Sequence, residues 1–349
     1  MTLGGLMMDL GSRVLWMIKM KRIVKTTIVF VLVILTIFAF MVWKNWYRPF
    51  SVSSEWGYEQ VVIKNGNNYN ANPDIIQLKD GCYRIYSHGN EEGVEENSIF
   101  SFHSCDGLNW EFEGRRIESA AMPAAMMLDD GNIRLYYQKG IERDGKPEQA
   151  LMYADSSDGL NFKINEEYLL ETNKGVLEGI KTIGHFEIIR IDEGYRIYFD
   201  EGELTPRDFE RYEDENWNWP VWRIRSIFSE DGLDWKLDTG VRIDYEQEPL
   251  RYMQRAGSST VIKQGDEYYM YFGAGFSPWE DLKSTKRWEW SGIYLATSKD
   301  GLNFEIIDKR LVKDGLSDPK ILKIGDEARM YLSKSRTRDY NSIYTYIKK

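Results

Sequence analysis

The sequence predicts an all-β protein: a five-bladed β-propeller whose N-terminal strand closes the last blade, preceded by one transmembrane helix. Three observations predict it. An apolar run stands near the N-terminus, a turn phrase of the type DGLNW recurs four times, and a strand phrase of the type YRIYS recurs five times. Repeats at this spacing are typical of propellers and solenoids.

The apolar run, residues 26–43, is free of charged side chains and at 1.5 Å per residue reaches about 27 Å, enough for a bilayer core. Four Lys or Arg precede it closely and two follow (Lys19, Lys21, Arg22 and Lys25, then Lys44 and Arg48). This bias predicts a cytoplasmic N-terminus and an extracytoplasmic body. A cleaved signal peptide is the alternative, but bulky residues follow the run. The predicted segments are 1–25 cytoplasmic, 26–43 anchor, 44–54 linker and 55–349 propeller.

Charge separates the two parts of the 349-residue chain. The first 50 residues hold seven Lys or Arg against one Asp, a net of +6, so a total of −10 leaves −16 on the body. An acidic body repels phosphate backbones, which argues against nucleic acid as a partner. The 42% of hydrophobic residues excludes a disordered protein.

The turn phrase and the strand phrase together define one repeat unit. The turns lie at 106–110, 158–162, 231–235 and 300–304, and the strands lie at 83–87, 133–137, 195–199, 268–272 and 329–333. A shorter apolar strand precedes each strand phrase, with hairpin turns such as Asp80-Gly81 between them. Each unit therefore reads as four antiparallel strands, A to D, with the turn phrase between C and D, which is the pattern of a propeller blade.

The last unit ends after strand C, at residues 342–347. The missing strand D is predicted at residues 55–63, whose pattern matches residues 109–117. Closure of this kind removes exposed sheet edges. Because the turn phrase and the arginine of the strand phrase repeat from unit to unit, we interpret them as scaffold, and function is sought where the units differ.

These motifs resemble the five-bladed glycoside-active enzymes of families 43, 32 and 130, the arabinanase, levansucrase and invertase type, over residues 55–349. Family 43 implies inverting hydrolysis by a base Asp, a modulating Asp and an acid Glu from the first three blades. This sequence has Asn72, Ala124 and Gly184 at those positions. An Asp-Pro pair stands in the fifth unit instead, at Asp318-Pro319.

Three other carboxylates stand at the starts of innermost strands and are the candidate catalytic residues: Asp74, Glu187 and Asp318. Such starts converge on the axis of a propeller, where two carboxyl groups roughly 6.5–9.5 Å apart would admit a water for inverting hydrolysis. The alternative is that these acids only cap strands or bind backbone amides.

Two long loops between strands B and C, residues 201–222 and 274–292, are rich in tryptophan and are expected on the same face. Flat aromatic rings near charged groups suit sugar rings, although these tryptophans could equally pack the loops against each other. The candidate substrate-binding residues are His88, Asp200, Trp219, Trp222, Arg255, Trp279 and Trp288.

Three functions remain open. The first is an extracytoplasmic, membrane-anchored glycan-processing enzyme acting on polysaccharide, the second is an inactive propeller that binds polysaccharide, and the third is a phosphorylase that would need Arg255 at the phosphate. No cofactor is expected, because the sequence has no phosphate loop or dinucleotide fingerprint. The three histidines share no metal-ligand spacing, so no zinc site is predicted.

The two cysteines, Cys82 and Cys105, fall opposite each other in the predicted hairpin of the first unit. In an antiparallel pair joined by residues 88–98, positions whose numbers sum to about 187 face each other. A cross-strand disulfide is therefore predicted, with two unbonded thiols as the alternative. A disulfide would agree with an extracytoplasmic body.

Overall fold

The computed structural model describes residues 16, 20–21, 23–37, 51–64, 71–90, 97–203, 221–245, 247, 250, 255–275, 290–312, 315–334 and 342–349. The chain divides into two compact units, Met1–Phe50 and Ser51–Lys349. The first contains the helical residues 23–37, and the second is mostly β.

The prediction of a transmembrane anchor is wrong for the described residues, and so is the single-pass membrane placement that depended on it. Among those residues, no helix combines the length and the apolar character needed to cross a bilayer. Residues 38–43 of the predicted span lie outside the described residues.

The β unit begins with two strands and continues with four-stranded repeats. The strands that precede and form the first two repeats are β1 (Ser51–Val52), β2 (Trp56–Lys64), β3 (Ala71–Gln77), β4 (Tyr83–Gly89), β5 (Ser98–Ser104), β6 (Glu111–Glu118), β7 (Ala121–Met127), β8 (Ile133–Arg143), β9 (Lys146–Ser156), β10 (Lys163–Ile164) and β11 (Leu170–Glu171). A single 3-10 turn, Gly175–Leu177, follows β11.

The remaining repeats have the same order. Their strands are β12 (Thr182–Ile191), β13 (Gly194–Glu203), β14 (Val221–Ser229), β15 (Lys236–Leu237), β16 (Arg255–Gln264), β17 (Glu267–Gly275), β18 (Trp290–Ser298), β19 (Glu305–Val312), β20 (Leu316–Ile324), β21 (Glu327–Lys334) and β22 (Ser342–Lys348). Within each repeat neighbouring strands pair antiparallel, and a parallel bridge between Trp222 and Arg255 joins the third and fourth repeats into one sheet.

The N-terminal strand completes the last sheet, as the repeat comparison predicts. Strand β2 pairs antiparallel with β22, so the order of this sheet is β2-β22-β21-β20. The first strands of successive repeats contact one another, β3 with β7, β7 with β12, β12 with β16, β16 with β20 and β20 with β3. These strands therefore form a closed ring around an axis.

Tyrosines of the strand phrase join each repeat to the next. Tyr86, Tyr136 and Tyr198 donate hydrogen bonds of 2.8–2.9 Å to the glycine carbonyls of the next turn phrase, and Tyr331 donates to Gly107 of the first. The aromatic that ends each turn phrase meets the same tyrosine edge-on, as in the Trp110–Tyr331 pair. These contacts between neighbouring repeats are the physical reason to interpret the repeated residues as scaffold.

The fourth repeat lacks a following turn phrase, and the N-terminal strand supplies the substitute. Trp56 packs edge-on against Tyr271, with ring centroids 6.2 Å apart. The apolar clusters lie between neighbouring sheets; one is built around Trp56, Tyr271 and Leu332. Burial of these faces is the main force that holds adjacent sheets together.

Candidate functional site

Each inner strand starts with a bulge at the axis. The register of pairing shifts at the same place in all five strands, between Ala71 and Asp74 in the first. The bulged residues have φ between 46° and 55°, a left-handed conformation that costs energy outside glycine: Asn72, Met122, His185, Ser258 and Asp318. All five line a small axial pocket of about 20 Å³.

The charged groups of this pocket form one network centred on His185. Its Nδ1 lies 2.8 Å from an oxygen of Asp200, and its Nε2 lies 3.3 Å from an oxygen of Asp318. Asp200 is fully buried and accepts hydrogen bonds of 2.9 Å from the Ser258 amide. Asp318 accepts hydrogen bonds from the hydroxyls of Ser317 and Ser333.

The network fixes the charge states. Burial alone lowers the pKa of His185, but the carboxylates of Asp200 and Asp318 outweigh it and raise that pKa to about 9. Burial raises the pKa of Asp200. Burial alone would raise the pKa of Asp318, but the imidazolium of His185 and the hydroxyl donors hold this pKa below the ordinary value. At neutral pH the pocket therefore presents an ionised Asp318 beside a protonated His185.

The two other predicted carboxylates meet one lysine. Lys320 Nζ lies 2.6 Å from an oxygen of Asp74 and forms an ion pair with Glu187. Asp74 also accepts a hydrogen bond from the Ala125 amide, and Glu187 accepts one of 3.2 Å from Thr260. The structure thus brings Asp74 and Glu187 together, with a cation between them.

Register separates these two acids from Asp318. Asp74 and Glu187 pair with Tyr86 and Tyr198 at the same register of the first and third repeats, as predicted. Asp318 occupies the bulge two positions earlier, at the level of Asn72. Asp318 lines the pocket, whereas Asp74 and Glu187 are not among its lining residues.

Of the predicted substrate-binding residues, His88 and Asp200 are buried next to the network. The carboxylate of Asp200 contacts Nδ1 of His185. His88 is 5% exposed and accepts a hydrogen bond of 3.4 Å from the Met122 amide. Burial lowers the pKa of His88 to about 4, so this imidazole is neutral at pH 7.

Trp222 and Arg255 lie at the adjoining ends of β14 and β16. The guanidinium carbon of Arg255 stands 5.0 Å from the centre of a Trp222 ring, within the range of a cation–π contact. Trp219, Trp279 and Trp288 lie outside the described residues, so their predicted roles stay predictions.

Two residues of the site were missed in the sequence. The histidine spacing tests His185 only as a metal ligand, and no sequence motif points to Lys320. In four of the five inner strands the bulge residue precedes Pro or Phe, so alignment of the strand starts on that pair would have found the position, where one His and one Asp stand.

Cys82 and Cys105 are joined by a disulfide, with Cα atoms 4.1 Å apart. The flanking pair Tyr83 and Ser104 gives the register that the sequence predicts.

Comparison with known proteins shows the fold. No family model matches the sequence, and no curated protein matches it. Among solved structures, a protein described as a glycoside hydrolase is similar with a TM-score of 0.67 and 13% identity, covering 84% of this chain and 92% of its own. The fold is that of the propeller-type glycoside hydrolases.

Two further structures belong to the same group. A thermostable family-43 glycoside hydrolase has a TM-score of 0.57 and 16% identity, over 83% of this chain and 92% of its own. The inulosucrase from Halalkalicoccus jeotgali, bound to kestose, has a TM-score of 0.58 and 15% identity, over 82% of this chain and 84% of its own. At such identities the likeness concerns the fold.

Proposed function

We propose that the protein is a five-bladed propeller that binds and hydrolyses a glycan at the axial pocket, with Asp318 as the base. The observation that carries the proposal is the ion pair of Asp318 with His185 at the bulges that line the pocket. An ionised carboxylate there can accept a proton from a water that attacks the anomeric carbon. His185 acts as a positioning residue, because both of its nitrogens already face carboxylates.

Inverting hydrolysis requires a second carboxyl group, roughly 6.5–9.5 Å from the base, that protonates the leaving oxygen. Glu187, one of the three candidate catalytic carboxylates, is the acid that we assign. In the described structure Lys320 pairs with Glu187, so this role requires their separation when substrate binds. The neighbouring Arg255–Trp222 pair offers a ring face and a cation for the sugar.

A second candidate function is glycan binding without turnover. It is favoured by the Lys320 contacts, because the ammonium group pairs with the carboxyl group that hydrolysis would use as the acid. The two candidates share the pocket and differ only in product formation.

The test is a screen of oligosaccharides for binding by calorimetry and for product by chromatography, with the anomer of the product read by NMR. We expect Asp318→Asn to lower turnover at least about 100-fold and to leave affinity within severalfold. Asp192→Asn, a change at an exposed carboxylate paired with Lys263, is the matched control.

The outcomes separate the candidates. Binding without product supports the second one, and absence of any binding contradicts both. Turnover that requires inorganic phosphate would instead support the phosphorylase alternative and contradict hydrolysis. Unchanged turnover in Asp318→Asn would remove this residue from the mechanism.

A further inference from the structure

A second cluster of reactive side chains lies in the first repeat, outside the axial site. Cys82, His103 and Cys105 each offer one ligand atom, and these atoms all lie within 4.8 Å of one another. His103 lies on β5, and Cys105 follows the last residue of that strand. Cys82 directly precedes β4 and is joined to Cys105 by the disulfide.

We propose that reduction of the Cys82–Cys105 disulfide creates a binding site for a thiophilic metal ion such as Zn²⁺, with His103 as the third ligand. A dithiol reductant supplies two electrons and two protons. The S–S bond breaks, two thiols form, and the reductant becomes a disulfide. Each thiol then releases its proton when its sulfur binds the metal, because the thiolate is the ligand form.

The geometry suits a tetrahedral ion. Zn–S distances near 2.3 Å and Zn–N distances near 2.0 Å place the ligand atoms roughly 3.3–3.8 Å apart. The three atoms already lie within 4.8 Å, so shifts of about an ångström suffice once the sulfurs part. Two thiolates and one imidazole leave the fourth position to water, as in an open zinc site.

The surroundings admit a cation. Cys105 is exposed, and Cys82 and His103 are half-buried, so reductant and metal can reach the cluster. Arg84 pairs with His103 across the strands, but its guanidinium is bound to Glu113 at 2.7 Å. Its positive charge is thus balanced and does not oppose the metal. The disulfide and the metal complex exclude each other, because both use the same sulfur electrons.

The experiment titrates the full chain with Zn²⁺ against a chromophoric chelator, first oxidised and then after dithiothreitol reduction and anaerobic desalting. We expect one high-affinity ion per reduced chain and none in the oxidised chain. Co²⁺ in place of Zn²⁺ should give a thiolate-to-metal absorption band in the reduced chain alone.

His103→Ala is the decisive variant, since it leaves both cysteines and the disulfide intact. It should weaken Zn²⁺ binding by the reduced chain about 100-fold, one ligand's share of a structural zinc site. Cys82→Ser should abolish the cobalt band, with circular dichroism to establish that the variant is folded. Equal binding by oxidised and reduced chains, no binding by the reduced chain, or no effect of His103→Ala would each overturn the proposal. None of these outcomes bears on the glycan site.

Discussion

The hydroxyl of Tyr331 donates a hydrogen bond of 2.8 Å to the carbonyl oxygen of Gly107, 224 positions earlier in the chain. A Cβ at Gly107 would stand 2.7 Å from that hydroxyl, and the residue has φ of +73°, so both space and backbone require glycine there. The contact joins the last repeat to the first. Tyr86, Tyr136 and Tyr198 make the same hydrogen bond between other neighbouring repeats.

Tyr331→Phe tests the contact directly. The variant should lower the free energy of unfolding by about 1–3 kcal/mol, because the buried Gly107 carbonyl loses its donor. Urea unfolding measures the change. The control is Tyr168→Phe, at a side chain 46% exposed, where a change within about 0.5 kcal/mol is expected. Equal stability of the two variants would mean that the hydrogen bond contributes nothing to ring closure.

His185 predicts a dependence of stability on pH. Its pKa is raised from 6.5 to about 9 by folding. The stabilisation is therefore fully present below pH 6.5 and is lost as pH rises through about 9. The rise corresponds to about 3 kcal/mol. Urea unfolding of wild type and His185→Gln at about pH 6 and about pH 9.5 measures it. The difference in stability between the two proteins should shrink at the higher pH, and a constant difference would contradict the charged network.

Lys320→Met should be strongly destabilising. Removal of the ammonium group leaves the buried carboxylates of Asp74 and Glu187 facing each other, at a cost of about 3–5 kcal/mol. Lys323→Met, at an exposed position of the same strand, is the matched control. Addition of Asp74→Asn and Glu187→Gln to Lys320→Met should restore most of the loss. A destabilisation that persists in this triple variant would assign the effect to packing rather than to charge.

Trp222→Ala should weaken glycan binding about tenfold, since loss of one stacking face removes on the order of 1.5 kcal/mol. It should leave turnover per bound substrate nearly unchanged, because the proposed proton transfers are assigned to Asp318 and Glu187 and not to Trp222. Calorimetry with the glycan that the screen identifies measures affinity, and Tyr168→Ala serves as control. An unchanged affinity would place the sugar away from the Arg255–Trp222 pair.

The disulfide is expected to persist in purified protein. Alkylation of the unreduced, denatured chain followed by mass measurement should add no label, and two added labels would contradict the bridge. Its loop spans 23 positions, for which loop-closure entropy gives about 3 kcal/mol of stabilisation. The double variant Cys82→Ser, Cys105→Ser should therefore unfold at lower urea concentration, and this comparison measures the contribution.

The repeat, the strand order within it and the completion of the last sheet by β2 can all be predicted from the amino-acid sequence. Its phrases encode local structure: alternating residues form strands, and Asp-Gly pairs form turns. The register of Cys82 with Cys105 followed from the same rules. The apolar run also predicted the membrane anchor, which is wrong for the described residues, where no helix is long and apolar enough to cross a bilayer.

Which side chains meet at the axis cannot be predicted from the sequence and depends on how the chain folds into a ring. His185, Asp200 and Asp318 come from two repeats and are more than 100 positions apart at the extremes, so no local pattern pairs them. Lys320 likewise reaches Asp74 and Glu187 across the ring. Bulges set the direction of each side chain at the strand starts. A shift of one residue in register would turn the side chains that face the pocket toward the protein interior. Ring closure brings these residues together, and closure depends on every interface between sheets.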